Sequence, residues 1–166
     1  LTGMASLALD IAAPRRDELL EELLEYGETD LLFYRSEEEA LAKTQQVNWQ
    51  PWINHAQVAF ETRYTVTDGI MPVTQPSANR FKHAAQLQTL NAWQLALLAA
   101  VVKPTTSLIL GWFFLQGKID VAELFTLSRL EEAHNIAQWG EDDEAKQKAE
   151  SIRADLQVAQ HWRDLL

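Results

Sequence analysis

The chain has 166 residues, of which 47% are hydrophobic and 23% are charged, and it carries a formal net charge of −10 with no cysteine. This length suits one domain with a core of its own, and the acidity argues against nucleic acid and anionic membrane surfaces as partners. The absence of cysteine from the sequence excludes disulfides, thiol catalysis and cysteine-based zinc sites.

Helical patterns open the chain. Pro14 suits the first turn of a helix, four leucines follow at helical spacing, and Tyr26-Gly27 ends this predicted helix. The apolar run at residues 30–35 predicts either an extended segment or a buried turn.

The middle of the chain changes from helical to β-forming patterns. Ser36 and Glu39 form a capping box that predicts one helix, and Pro51 predicts the start of another. Residues 64–67 alternate with strong β formers and precede the turn dipeptide Asp68-Gly69, which predicts a short strand or hairpin.

The second half of the chain returns to helical patterns, with helices predicted over residues 77–91, 91–102 and 104–117. The most hydrophobic stretch, residues 87–115, is interrupted by Lys103-Pro104. Its apolar pieces are therefore too short to cross a bilayer, and a buried helix pair without membrane insertion is predicted.

Two further helices complete the predicted fold. Asp120 caps a helix that Gly140 ends with a positive φ, and residues 145–159 show the apolar stripe of an amphipathic helix. The sequence predicts a mainly α fold: an orthogonal helical bundle of about seven to eight helices with at most one short strand or hairpin near residues 64–70. We expect residues 1–166 to form a single helical domain.

The end of the predicted helix at residues 127–140 has a mixed surface. An apolar row is expected to face the core, and the opposite row is acidic and polar with a tryptophan at the helix end. The residues of this polar row are Glu131, Glu132, Asn135, Gln138 and Trp139. Such a helix is either an ordinary surface helix or a docking surface for a partner.

No sequence motif for catalysis or metal binding is complete. Glu131 and His134 match one half of a di-iron carboxylate motif, but the other three histidines lack a glutamate three residues before them. A solvated His134 is therefore expected. Phosphate-binding glycine loops and a nucleophile elbow are absent from the sequence, so we expect no catalytic residue, no metal and no cofactor.

The tryptophans divide into two groups. Trp93 and Trp112 lie in the most apolar helices and are expected to belong to the core. Trp49, Trp52 and Trp139 are expected at helix ends, where exposure to a partner is more plausible.

Five short stretches resemble the signatures of one known family. They are Leu7-Ala8-Leu9-Asp10; Thr29-Asp30 with Tyr34-Arg35; Gln46 with Trp49 and Pro51; Gly69-Ile70 with Gln75-Pro76; and Ser128-Arg129-Leu130-Glu131-Glu132 with Trp139-Gly140. In this order and spacing they are similar to the assembly chaperones of the F-type ATP synthase that bind the α subunit of the catalytic head.

The resemblance implies a chaperone without enzymatic activity or cofactor. Such a protein holds the unassembled α subunit until it pairs with the β subunit, and it is monomeric when free. The resemblance further implies that residues 1–166 form the helical part of the family, with the smaller N-terminal domain missing upstream. A bacterial cytoplasm is expected, with the mitochondrial matrix as the alternative.

The resemblance also assigns residues to a partner-binding surface. The sensitive acidic residue of the family, on its penultimate helix, corresponds to Glu131, and the polar row around it is expected to bind the partner. For the remaining motif residues, packing inside the domain and binding both stay open. These residues are Asp30, Tyr34, Arg35, Trp49, Pro51, Gln75, Pro76, Arg129 and Gly140.

One alternative function belongs to a different class. An all-helical ligand-binding or regulatory effector domain would need a cavity within residues 87–115, with polar groups pointing into it. A packed interior beside a polar outer groove would favour the chaperone instead.

Overall fold

A computed structural model describes residues 15–69 and 71–165, which form eight α-helices and one small sheet. The helices are Arg16–Glu28 (α1), Glu39–Phe60 (α2), Ala78–Leu87 (α3), Ala92–Thr105 (α4), Leu108–Leu115 (α5), Val121–Ser128 (α6), Leu130–Trp139 (α7) and Asp143–Leu165 (α8). This architecture confirms the predicted mainly α fold. The family-like stretch Leu7-Ala8-Leu9-Asp10, the helix start at Pro14 and residue Ile70 lie outside the described residues.

The small sheet joins two distant parts of the chain. A 3-10 turn at Leu31–Phe33 leads into strand β1, Tyr34–Arg35, which pairs in parallel with strand β2, Thr67–Asp68. The strand predicted near residues 64–70 is therefore confirmed, but its partner is β1. The alternative prediction of a hairpin closed by Asp68-Gly69 is wrong, because a hairpin requires antiparallel strands and β2 pairs in parallel with β1.

The centre of the bundle is the helix pair α4 and α5, as the hydrophobic stretch predicts. Seven of the eight α5 residues are buried, and α8 and α1 cover α4. Gly111 in α5 packs so closely that a Cβ atom there would lie 2.6 Å from Val102 Cγ2. This contact argues against a ligand cavity between the two helices. Over the described ranges, no helix combines the length and hydrophobicity needed to traverse a bilayer.

Two prolines that were predicted to start helices lie inside helices instead. Pro51 is in the interior of α2, and Pro104 is in the last turn of α4. Trp49 and Ile53 are both buried on either side of Pro51, so the packing of one continuous helix outweighs the cost of the lost hydrogen bond. The start predicted at Pro104 moves to Ser107, whose hydroxyl accepts a hydrogen bond from the Leu110 N–H and caps α5.

The first helix ends at Glu28, one residue after the predicted end at Gly27. Gly27 lies inside α1, and a Cβ atom there would come within 2.8 Å of both His83 Nδ1 and Leu108 Cδ2. The glycine therefore permits the close approach of α1 to α3 and α5 rather than a turn.

The single helix predicted between Asp120 and Gly140 is two helices. Arg129 has φ −126° and ψ 31°, outside the helical region, and separates α6 from α7. The predicted core row is correspondingly interrupted, because Leu127 and Leu130 are buried but Ala133 and Ala137 are exposed. In α8 the predicted apolar stripe is confirmed, with Leu156 and Ala159 buried.

Candidate functional site

α7 presents all five residues of the predicted polar row to solvent. We call this surface the α7 ridge: Glu131, Glu132, Asn135, Gln138 and Trp139. Trp139 is 81% exposed, so its ring is open to solvent at the end of α7. The only buried residue of α7 is Leu130. The ridge is thus accessible to a partner, and its role in binding stays a prediction.

The inner side of α7 is held by a polar cluster. Glu38 Oε1 accepts hydrogen bonds from Gln138 Nε2 at 2.9 Å and contacts His134 Nε2 at 2.8 Å. These bonds lower the pKa of Glu38. The expectation of a solvated His134 is wrong, because its side chain is only 19% exposed and faces Glu38. Gln138 therefore serves both the ridge and the attachment of α7.

Gly140 ends α7 in the way the sequence predicts. It has φ 81°, and its N–H donates to the Ile136 carbonyl at 2.8 Å. An L-residue would be strained at this φ. Its role is structural, whereas the neighbouring Trp139 is free of the core.

Beside the ridge, a cleft of about 340 Å³ brings four of the family-like stretches together. The motif residues that line it are Tyr34, Arg35, Trp49, Gly69 and Glu131. The parallel pairing of β1 and β2 is what carries Gly69 to Arg35, because the Gly69 N–H donates to the Arg35 carbonyl. Residues that are up to about a hundred positions apart in sequence therefore share one concave surface.

Arg35 is buried at the cleft, with 4% of its surface exposed. Its Nη1 donates to the carbonyls of Leu32 and Tyr34, and its guanidinium lies 5.5 Å from the Trp49 ring centroid. Burial lowers the pKa of Arg35. Within the described residues, Arg35 Nε has no hydrogen-bond partner.

Trp49 is not at a helix end and is not exposed. It is 2% exposed inside α2, and its Nε1–H donates to the Leu127 carbonyl at 2.8 Å. Trp52 is partly buried and packs against Phe113. Of the three tryptophans expected at a partner surface, only Trp139 is exposed. Trp49 therefore packs inside the domain.

Asp30 is a fully buried carboxylate that connects the first motif to α5. It accepts hydrogen bonds from the Leu32 N–H at 3.0 Å, the Ser107 hydroxyl at 2.7 Å and the Ile109 N–H at 2.9 Å. Burial raises its pKa to about 6 in spite of these donors. Asp30 therefore belongs to an internal polar network in this fold.

Gln75 is partly buried and joins two parts of the irregular segment around β2. Its amide accepts from the Thr65 N–H and donates to the Thr65 carbonyl, both at 2.8 Å, as a neighbouring strand would. Pro76 follows it, and its carbonyl accepts from the Asn79 N–H. The other two open positions are not in the cleft: Pro51 is exposed on α2, and Arg129 lies 5.5 Å from the Phe125 ring.

Sequence reasoning missed His83, which is 2% exposed between α1 and α2. Its Nε2 lies 2.7 Å from the Tyr64 hydroxyl, and burial lowers its pKa to about 4. No motif or spacing in the sequence marks this pair, because it depends on a contact between Tyr64, after α2, and His83, inside α3.

The described part of the chain has no group of three or more His, Cys, Asp or Glu side chains placed to hold a metal ion. Glu131 faces the cleft and His134 faces Glu38, so this half-motif does not converge on one point.

Comparisons with known proteins point to one family. The family model described as ATP12 chaperone protein matches residues 1–57. The protein "atp12, mitochondrial" of Schizosaccharomyces pombe is 27% identical over 157 residues, 87% of this chain and 53% of its own length. The chain thus spans about half the length of that curated relative.

Solved structures show the same fold at similar identity. Atp12 from Paracoccus denitrificans matches with a TM-score of 0.94 and 33% identity, over 99% of this chain and 71% of that chain. The Atu1473 protein of Agrobacterium tumefaciens matches with a TM-score of 0.88 and 28% identity, over 97% of this chain and 61% of that one. The sequence motifs, their convergence in one fold and these similarities lead to one conclusion: the chain belongs to the ATP12 chaperone protein family.

Proposed function

We propose that this chain is an assembly chaperone of the F-type ATP synthase that holds the unassembled α subunit until α pairs with β. It performs this role by binding alone, as a monomer without cofactor or catalysis. The observation that carries the proposal is the α7 ridge, an exposed acidic helix face with an exposed tryptophan, beside the cleft where the family-like stretches meet.

The chemistry of the ridge suits a chaperone that must release its client. A tryptophan that becomes buried on binding often contributes 2 kcal/mol or more, which makes Trp139 the expected anchor. Glu131 and Glu132 add selectivity and association rate more than affinity. A micromolar complex, about −8 kcal/mol, is tight enough for capture and weak enough for displacement by the β subunit.

Co-purification tests this function. The tagged chain is co-expressed with the α subunit or with the β subunit, and α but not β is expected to remain bound. Trp139→Ala and Glu131→Lys are expected to fold as the wild type and to retain at least about tenfold less α, which corresponds to about 1.4 kcal/mol.

Matched substitutions elsewhere control for exposure and charge. Phe81→Ala removes another exposed aromatic side chain (77% exposed), and Glu150→Lys makes the same charge change on the exposed side of α8. Both controls are expected to retain α fully. Retention of β as strongly as α, or full retention of α by the two ridge variants, would contradict the proposal.

The relatives also support a proposal for the place of action. We propose a bacterial cytoplasm, with the mitochondrial matrix as the alternative, and the relatives come from bacteria and from a mitochondrion.

Elemental analysis of the purified protein tests the absence of a resident metal, and stoichiometric iron or zinc would favour a helical-bundle metalloenzyme instead.

A further inference from the structure

The direction of α7 is not set by the helix that precedes it. Arg129 lies outside the helical region, so α6 does not continue into α7. In the first turn of α7, Leu130 is buried. One and two turns further along, His134 and Gln138 reach the Glu38 carboxylate. A single buried side chain permits a helix to pivot, whereas a second attachment further along the helix fixes its direction.

Glu38 is itself held to the domain by a hydrogen-bonded turn. It directly precedes α2, and its N–H donates to the Ser36 hydroxyl at 3.0 Å. The Ser36 N–H in turn donates at 2.8 Å to Oε1 of Gln45, a buried side chain of α2. The carboxylate that meets α7 is therefore connected by successive hydrogen bonds to the buried side of α2.

The atoms in contact make Glu38 the acceptor of two hydrogen bonds. Its Oε1 lies 2.8 Å from His134 Nε2 and 2.9 Å from Gln138 Nε2. Lone pairs that face each other at 2.8 Å would repel, so His134 carries a hydrogen on Nε2 and donates it to Glu38. The Gln138 amide likewise has its nitrogen towards Glu38. One carboxylate oxygen thus receives two donors that are one turn apart on α7.

The direction of α7 decides where the ridge lies. Trp139 is at the opposite end of α7 from Leu130, about 13 Å away along the helix axis. A rotation of α7 about Leu130 by about 10° would therefore move Trp139 by about 2 Å. Anchor side chains at interfaces contribute by packing closely into a pocket of the partner. A shift of this size would therefore remove contacts with a client.

We propose that Glu38 is a positioning residue for client binding: by accepting hydrogen bonds from His134 and Gln138, it fixes the direction in which α7 presents the ridge. Glu38 acts through α7 and not by contact with the client. The contribution to capture rests on the proposed function, whereas the effect of Glu38 on α7 does not. Glu38 belongs to none of the five family-like stretches, so only the contact across the fold identifies it.

Amide hydrogen exchange in the free chain tests the effect on α7. Glu38→Ala removes the acceptor, and exchange at residues 134–139 is expected to accelerate at least about fivefold while exchange in α4 and α5 stays unchanged. Glu38→Gln keeps an oxygen that accepts from both donors and is expected to stay closer to the wild type. Glu39→Ala makes the same change at the exposed neighbouring residue and is expected to leave α7 unchanged. Unchanged exchange of α7 in Glu38→Ala would overturn the proposal.

Capture of the α subunit tests the role in binding. Glu38→Ala is expected to retain at least about fivefold less α, Glu38→Gln to retain more than Glu38→Ala, and Glu39→Ala to retain as much as the wild type. His134→Ala removes one of the two contacts from the α7 side. The double variant Glu38→Ala/His134→Ala is expected to lose no more than Glu38→Ala alone, because both substitutions act on one interaction.

Two patterns of capture would show that Glu38 meets the client directly and would overturn the proposal. They are losses that add in the double variant, and equal losses in Glu38→Ala and Glu38→Gln. Accelerated exchange in α7 with full capture of α by Glu38→Ala would sink the positioning role alone. Failure of the wild type to capture α would sink the chaperone function, while the exchange results would still report on the link between Glu38 and α7.

Discussion

Two buried side chains, Asp30 and His83, titrate in the same pH range with opposite effects on stability. Burial lowers the pKa of His83 from 6.5 to about 4, so the unfolded chain binds a proton before the folded protein does. Stability from this group is lost as the pH falls through that window, by about 3 kcal/mol in all. Burial raises the pKa of Asp30 from 3.8 to about 6, so the folded protein binds its proton first and gains a similar amount.

Replacing either residue is expected to reveal the pH dependence of stability that the other one contributes. His83→Gln should become more stable as the pH falls from about 6 towards 4, because the raised pKa of Asp30 then acts without the opposing effect of His83. Asp30→Asn should become less stable over the same range. Urea unfolding followed by tryptophan fluorescence measures both slopes, each relative to the same variant at neutral pH.

The exposed His161 provides the control, since His161→Gln is expected to keep the wild-type profile. Parallel pH profiles for the wild type, His83→Gln and Asp30→Asn would show that neither buried group has the shifted pKa.

At the scale of single residues, the sequence indicated Asp30 through its motif but left packing and binding open. It gave no sign of His83, whose neighbours Gly27, Phe60 and Tyr64 are distant from it in sequence.

At the scale of elements, α7 is attached to the domain by few contacts. One residue, Leu130, is buried, and Glu38 holds the helix through His134 and Gln138. Segments with so little buried surface open at low free energy. The break at Arg129 escaped sequence analysis because the apolar spacing of Leu127 and Leu130 continues across it. Tertiary packing, rather than local propensity, sets the direction of α7.

Removal of the Leu130 side chain is expected to release α7 selectively. In Leu130→Ala, amide hydrogen exchange across α7 should accelerate by at least tenfold, while exchange in α4 and α5 stays unchanged. Leu156→Ala in α8 is the matched control, because its fully buried side chain should lower the stability of the whole domain by about 2–5 kcal/mol. Uniform acceleration throughout the protein in Leu130→Ala would show that α7 belongs to the cooperative core.

At Pro51, unlike at Leu130 and Leu156, a substitution is expected to raise the stability of the domain. Replacement by alanine restores a helix donor in the interior of α2 and leaves the buried neighbours Trp49 and Ile53 in place. Pro51→Ala should raise the free energy of unfolding by about 2 kcal/mol, after the smaller gain in unfolded-chain entropy is subtracted. Urea unfolding provides the measurement, and Pro76→Ala, outside any helix, should show no such gain. A loss of stability in Pro51→Ala would mean that the proline ring itself packs in the native state.

For the whole molecule, charge is expected to govern the rate of client capture. The chain carries a net charge of −10, and the α7 ridge contributes two exposed carboxylates. Electrostatic attraction acts over about 10 Å at 0.1 M salt and about 3 Å at 1 M. The association rate with the α subunit, measured by stopped-flow tryptophan fluorescence, should therefore fall as salt is raised.

The double variant Glu131→Gln/Glu132→Gln should show a flatter salt dependence, and Glu150→Gln should keep the wild-type slope. Equal slopes for all three proteins would place the steering charge away from the ridge.

The sequence predicted the helical class, the buried helix pair and the strand near Thr67, because each depends on local periodicity. It did not predict that β1 and β2 pair in parallel, and the cleft depends on that long-range pairing. The family-like stretches named the residues of the cleft without showing that they meet. Only the fold shows that Arg35 and Glu131 line the same cavity.

The long connection from Asp30 to α5 also sets an order of events during synthesis on the ribosome. Asp30 can accept its hydrogen bond from the Ile109 N–H only after Ile109, 79 positions later in the chain, has been synthesised. At ordinary elongation rates this delay lasts about 4 to 16 s. During that time α1 has no completed core to cover, so a protein whose proposed task is to shelter an orphan subunit has exposed apolar surface of its own while it is being made.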